Sequence, residues 1–250
     1  MILVPEKKPI ASLVLLCASV CVFGCVCLKS TGLSPSPSQS QIALLIKALK
    51  VQTYAVNTFI STGTLEIRYC TQRIPTTFLC IGSRNPFRLK LEITHSWGKP
   101  LMHILLLGQK VTIRDLYHHR TYQGQLNSHA PFFRMMPFLD KTILWSIMRA
   151  YPELMASGKI SWQGKDRAFI IKKDRAITQE IKFDRNLRSP SLVRYRRLHV
   201  SIRYSQFAAK DHIIYAKVVE ATDSKGKTSV RLNIKSIVFN PTLAPNLFNL

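Results

Sequence analysis

The chain has 250 residues and carries 36 lysines and arginines against 13 aspartates and glutamates, a formal net charge of +23. That length suits one large domain or two small ones, and the charge predicts attraction to a polyanion: nucleic acid, anionic lipid headgroups, or a cell-wall or lipopolysaccharide polymer. So few carboxylates leave no paired-carboxylate catalytic site in view; Glu153, Asp166, Asp174 and Glu180 read as solvated strand ends and turns.

Residues 1–28 read as an export signal, with Lys7 and Lys8 at its positive start and an apolar run from Ile10 to Gly24. Val22-Phe23-Gly24-Cys25 resembles a bacterial lipobox, although Phe23 is an unusual choice there. Small Gly24 precedes Cys25, as a lipoprotein signal peptidase requires, whereas Cys17, Cys21 and Cys27 follow larger side chains. The expected division is a signal peptide over 1–24, an acylated Cys25 with a Ser/Pro linker over 25–38, and one folded domain over 39–250. The alternative for residues 10–28 is an uncleaved helix, uncharged and about 28 Å long, enough to span a bilayer. Both place the body outside the cytoplasm and tethered to a membrane, which argues against a nucleic-acid partner.

Residues 39–59 carry Ile42, Leu45, Ile46 and Leu49 at helical spacing, so an amphipathic helix is expected, capped by Ser38 or Ser40. Strands over 64–71 and 77–83 follow, joined through Arg73-Ile74-Pro75. Cys70 and Cys80 stand at mirrored distances from that turn and could form a disulfide; two free buried thiols are the equal alternative. From Pro86 to Tyr122 the chain reads as consecutive antiparallel strands. Leu89, Leu91 and Ile93 alternate with Lys90, Glu92 and Thr94, Ser96 to Pro100 make a turn, and residues 101–107 are almost wholly apolar. Gly108-Gln109 turns again into a strand from Val111. Residues 132–151 are rich in Phe, Met and Trp and predict helices over 132–136 and 139–150, the second started by Asp140. Beyond Gly158, alternation predicts strands over 168–173, 176–184, 192–205, 212–222 and 228–239, with Leu198, Val200, Ile202 and Tyr204 on one face. The densest basic patch in the sequence is Arg185, Arg188, Arg194, Arg196, Arg197 and Arg203.

No catalytic or cofactor motif stands out. His118 and His119 are adjacent and would point to opposite faces of a strand, and no ligand of suitable spacing stands near, so no metal is expected. There is no glycine-rich phosphate loop and no G-x-S-x-G elbow. An enzyme is not expected, nor a cofactor. What the chain offers is apolar surface: a long amphipathic helix, a Met- and Phe-rich helical insert, and about ten or eleven one-sided strands. Ordinary core is the plain alternative.

The order of parts carries a resemblance. A lipobox-like Cys25, a Ser/Pro linker, a helix and a strand pair lead into R-N-P-F-R-L-K-L-E-I and the tip Ser96-Trp97-Gly98. K-P-L-M-H-I-L-L-L-G-Q-K-V-T-I-R-D, the helical insert and a second strand set follow. Over roughly Gln39 to Phe248 this resembles the LolA/LolB-like lipoprotein-carrier family, nearer its membrane-anchored LolB type. The resemblance implies an α+β fold, an incomplete antiparallel β-barrel wrapped around a few helices, with an apolar cavity for the acyl chains of a lipid or lipoprotein. Leu89, Leu91, Ile93, Met102, Ile104 and Leu106 would line its sheet side, and Phe132, Phe133, Met136, Phe138 and Trp145 its helix side. Trp97 would be the membrane-insertion tip. The implied partners are the cargo, a soluble periplasmic LolA-like donor and the membrane surface. The implied place is the cell envelope, lipid-anchored to the outer membrane and facing the periplasm. The large positive charge departs from the family pattern and suits anionic headgroups or an acidic partner. The competing expectation is a basic envelope scaffold with a filled core, binding an anionic polymer.

Overall fold

The computed structural model describes residues 37–69, 72–126, 140–155 and 158–249. The expected signal segment with Cys25, Cys70, and the helix expected over 132–136 with Phe132, Phe133, Met136 and Phe138 lie outside the described residues.

Ser38 starts the first helix, α1 (Gln39–Tyr54), through a reciprocal cap: its Oγ accepts from the Gln41 amide and its own amide donates to Gln41 Oε1. The helix stops at Tyr54, earlier than expected, and Thr58, Phe59 and Ile60 open a strand instead. Six strands follow: β1 (Thr58–Tyr69), β2 (Gln72–Ser83), β3 (Arg88–His95), β4 (Pro100–Leu107), β5 (Lys110–Asp115) and β6 (Arg120–Gln125). Asp140 caps α2 (Lys141–Met148), its Oδ1 accepting from the Thr142 and Ile143 amides. The rest is β7 (Lys159–Gln163), β8 (Ala168–Lys173), β9 (Ala176–Phe183), β10 (Pro190–Tyr195), β11 (Val200–Lys210), β12 (Ile213–Asp223) and β13 (Thr228–Phe239).

The 13 strands among the described residues form one antiparallel sheet in the order β6-β5-β4-β3-β2-β1-β13-β12-β11-β10-β9-β8-β7. The count exceeds the expected ten or eleven partly because the long run over 192–205 is not one strand. A 3-10 turn at Arg196–Leu198 and a left-handed His199 fold it into β10 and β11, with Tyr195 opposite Val200. Leu198 therefore sits exposed in the turn rather than sharing the buried face of Val200, Ile202 and Tyr204.

The first hairpin also differs. Tyr69 lies opposite Gln72 and Pro75 opposite Glu66, so the expected turn at 73–75 is inside β2. Pro75 is tolerated because β3 ends opposite Thr76, leaving one flank of Pro75 without a ladder. With this register Cys80 faces Ser61 on β1 and Leu91 on β3. It is a free, buried thiol and not half of a hairpin disulfide.

The sheet curls over α2. Trp145 packs edge-on against Phe59 of β1 at 5.0 Å, while Ser146 Oγ lies 3.1 Å from the Tyr195 hydroxyl of β10. Tyr204 of β11 donates to the Ser146 carbonyl, and the Ala216 amide of β12 to the Ala150 carbonyl. Four strand spacings separate β1 from β10, about 19 Å in a flat sheet, so one short helix can touch both only if the sheet is strongly curved. This open antiparallel sheet with two helices among the described residues is consistent with an incomplete barrel.

Candidate functional site

The helix α1 is where apolar surface is left over. Leu49 and Thr53 are buried, and Ile42, Leu45 and Ile46 pack against the core. Leu44 and Val51, by contrast, are 64% and 56% exposed. They border a groove of about 420 Å³, whose wall is Leu44, Leu45, Ala48, Leu49 and Val51 on α1 and Tyr151, Phe183 and Ile214 opposite. Lys47, Gln52 and Arg188 give it a polar fringe. A second groove, of about 460 Å³, lies past the other side of the helix end and is floored by Phe87 and Trp145, with Arg84, Lys141 and Glu153 on its walls. Both volumes fall in the range of small-ligand sites.

A buried polar cluster separates the two grooves. Arg84 Nη1 meets Glu153 Oε1 at 2.9 Å, its Nη2 donates to the Thr53 carbonyl and its Nε to the Val56 carbonyl. Burial raises the Glu153 carboxyl above its ordinary value, and Arg84 opposes that shift. Gln179 Nε2 donates to the Glu153 carbonyl. Arg149 is 1% exposed; Nη2 donates to the Gln52 carbonyl and the guanidinium lies 4.8 Å over the Tyr151 ring. Burial pulls its pKa down to about 10, so it remains a cation at neutral pH. Glu153 and Glu180 are thus paired, largely buried carboxylates, not the solvated strand ends expected from the sequence.

Leu89, Leu91, Ile93, Ile104 and Leu106 all point to the inner face and are buried in one core with Trp145, and Met102 packs partly against it. The opposite parity of β4 is represented by Leu105, which joins a small outer cluster with Ile81 and Phe248. Trp145 also lines the second groove. Trp97 is 75% exposed in the β3–β4 turn and stacks on His95 at 3.3 Å. Tyr117, in the next turn along the sheet edge, lies under the Lys99 ammonium.

The arginine patch stays together only in part: Arg194, Arg196, Arg197 and Arg203 gather around the β10–β11 hairpin, while Arg188 lies a strand away. Arg188 lines the α1 groove before β10, and Arg196 and Arg197 lie beyond its other end. Arg194 and Arg196 converge on Glu180 at 2.9 and 2.6 Å, and Arg203 lies opposite Glu220 across β11 and β12. Sequence density misleads for Arg188 because extended β10 separates it from Arg196 by a strand's length. The α1 groove and Arg149 were not anticipated. The one available signal was a lone cation inside the apolar run Ile143-Leu144-Trp145-Ser146-Ile147-Met148-Arg149-Ala150-Tyr151.

An antiparallel sheet curled over a buried helix, with a second helix laid beside a groove, defines a half-barrel class of fold. Within that class the fold is the one seen in the LolA superfamily. A LolA superfamily protein from Nitrosomonas europaea superposes with a TM-score of 0.54 at 10% identity, over 83% of this chain and 97% of that one. A domain described as an outer membrane lipoprotein-sorting protein, from Vibrio parahaemolyticus, gives 0.51 at 12% identity over 82% and 95%. A DUF1329 family protein from Desulfovibrio piger gives 0.54 at 12% identity over 86% and 98%. No protein-family model and no curated protein sequence matches the chain.

Proposed function

We propose that this chain is a membrane-anchored lipid or lipoprotein carrier or acceptor of the bacterial envelope, acting without covalent chemistry. The observation that carries the reading is the apolar groove of about 420 Å³ between α1 and the sheet, in a fold shared with a LolA superfamily protein. The lipobox-like Cys25 supports a lipid anchor facing the periplasm, and exposed Trp97 supports a tip that enters the outer membrane during delivery. A soluble LolA-like donor would hand over the cargo.

One observation is what the scaffold reading also expects: Leu89, Leu91, Ile93, Ile104 and Leu106, the sheet-side lining, are buried in one apolar cluster. The two readings part over bound lipid. Mass spectrometry of gently extracted protein is expected to find acyl chains, and the purified chain to take up an apolar fluorescent probe. Repeated recovery of lipid-free protein that takes up no probe would leave the scaffold.

A further inference from the structure

We infer that the α1 groove takes an anionic amphiphile, with Arg149 receiving its carboxylate or phosphate behind the groove wall. This rests on the carrier reading and names the class of cargo. The groove alone specifies only something apolar. The interior behind it is more specific, because it contains one more cation than it can neutralise. Arg84 and Arg149 share a single carboxylate, Glu153, and Arg84 holds that carboxylate at 2.9 Å. Among the described residues Nε and Nη1 of Arg149 have no hydrogen-bond partner. A buried charge with unmade hydrogen bonds is costly, and in a binding protein an incoming anion is the group that removes the cost.

Arg149 is placed for that role. Both groups it touches, the Gln52 carbonyl and the Tyr151 ring, belong to residues that line the groove. It therefore stands one side chain behind the apolar wall, and displacement of the Tyr151 ring would bring a headgroup to it. Lys47 and Arg188 at the fringe are exposed and solvated, so they can draw an anion in but discriminate little. A purely structural arginine, tying the end of α2 to α1, would explain Nη2 and leave two nitrogens without a purpose.

The test uses the delipidated full chain loaded with neutral 1-aminoanthracene and displaced by dodecanoate, dodecyl phosphate or dodecanol. It is run at about 0.5 M salt, where the screening length is about 4 Å and surface lysines are silenced. At least one anionic competitor is expected to act at a concentration about tenfold or more below dodecanol, the worth of one charge-assisted hydrogen bond. Whichever is stronger identifies a fatty acid or a phosphate-headed lipid as the source. Arg149→Met is expected to bring that ratio to about one, and Arg149→Lys to keep part of the preference. Equal displacement by all three in the wild type, or a preference that survives in Arg149→Met, overturns the inference and leaves the carrier reading standing. If no competitor and no probe binds, both fall. Should Arg149→Met not fold by circular dichroism, the wild-type ratio at high salt still decides.

Discussion

Cys80 is the residue where chain spacing and register disagree most plainly. Equal distances from a presumed turn placed it across from Cys70, but residues 73–75 lie inside β2, and the ladder then sets Cys80 between Ser61 and Leu91. Its thiol is wholly buried, and burial pushes its pKa up, so the reactive thiolate is suppressed twice over. In the native protein Cys80 is expected to react with iodoacetamide on the order of a hundredfold more slowly than in urea, because attack must wait for local opening of the strands. Peptide mapping of the labelled protein checks this; rapid native labelling, or a Cys70–Cys80 bridged peptide, would contradict it. Gly63 shows the same dependence on register. It sits where β1 slips against β13, and an added Cβ would lie 2.1 Å from the Asn233 carbonyl oxygen, so no other residue fits the close approach.

At the scale of elements, α2 is held by tyrosines. Tyr195 and Tyr204 reach Ser146 from β10 and β11, and Tyr151 closes over Arg149. Burial raises the pKa of all three, Tyr151 to about 12. Above pH 10 the unfolded chain releases those protons while the native chain keeps them, so stability falls as pH rises. Each such tyrosine costs about 1.4 kcal/mol by pH 11, one unit above its unfolded value. Arg149 acts in the opposite sense, because its folded pKa lies below its unfolded value, and it offsets about one tyrosine. Buried Cys80, whose folded pKa also lies above its unfolded value, adds about 2 kcal/mol of loss over the same range, so the urea midpoint is expected to drop between pH 9 and pH 11 by an amount worth about 5 kcal/mol, and less so in Tyr204→Phe. A drop as large in Tyr204→Phe as in the wild type would mean that α2 is not sealed in this way. The elements themselves were partly legible. Alternation alone bounds β8 and β13 as observed, and Asp140 announces α2. The start of β1 was hidden because Val56 and Phe59 continue the apolar spacing of α1. The groove was not legible at all. It exists because α1 lies against Phe183 and Ile214, residues far away in the chain whose positions follow only from the order of the strands.

At the scale of the molecule, the strand order sorts the turns. Neighbours are antiparallel throughout, so the β1–β2, β3–β4, β5–β6, β8–β9, β10–β11 and β12–β13 turns share one rim. That rim carries Lys99, Arg120, Arg175, Arg196, Arg197, Lys225 and Lys227 against Asp115, Asp174 and Asp223, with exposed Trp97 and Tyr117 among them. An aromatic ring that sits at a headgroup interface, ringed by cations, suits an anionic bilayer, each close cation adding about 1 kcal/mol at low salt. The α1 groove opens at the other end of the strands, near the β9–β10 turn and the start of β12. Rim and groove are therefore separable by experiment. The full chain is expected to bind vesicles containing phosphatidylglycerol and to release them as salt rises. Trp97→Glu, which alters a solvent-exposed side chain, is expected to leave the melting temperature within about 1 °C and to weaken vesicle binding about tenfold. The same variant is expected to take up 1-aminoanthracene as the wild type does. Vesicle binding that ignores Trp97 and salt would remove the rim from the account, and a matching loss of probe uptake would show that the two ends are one site after all.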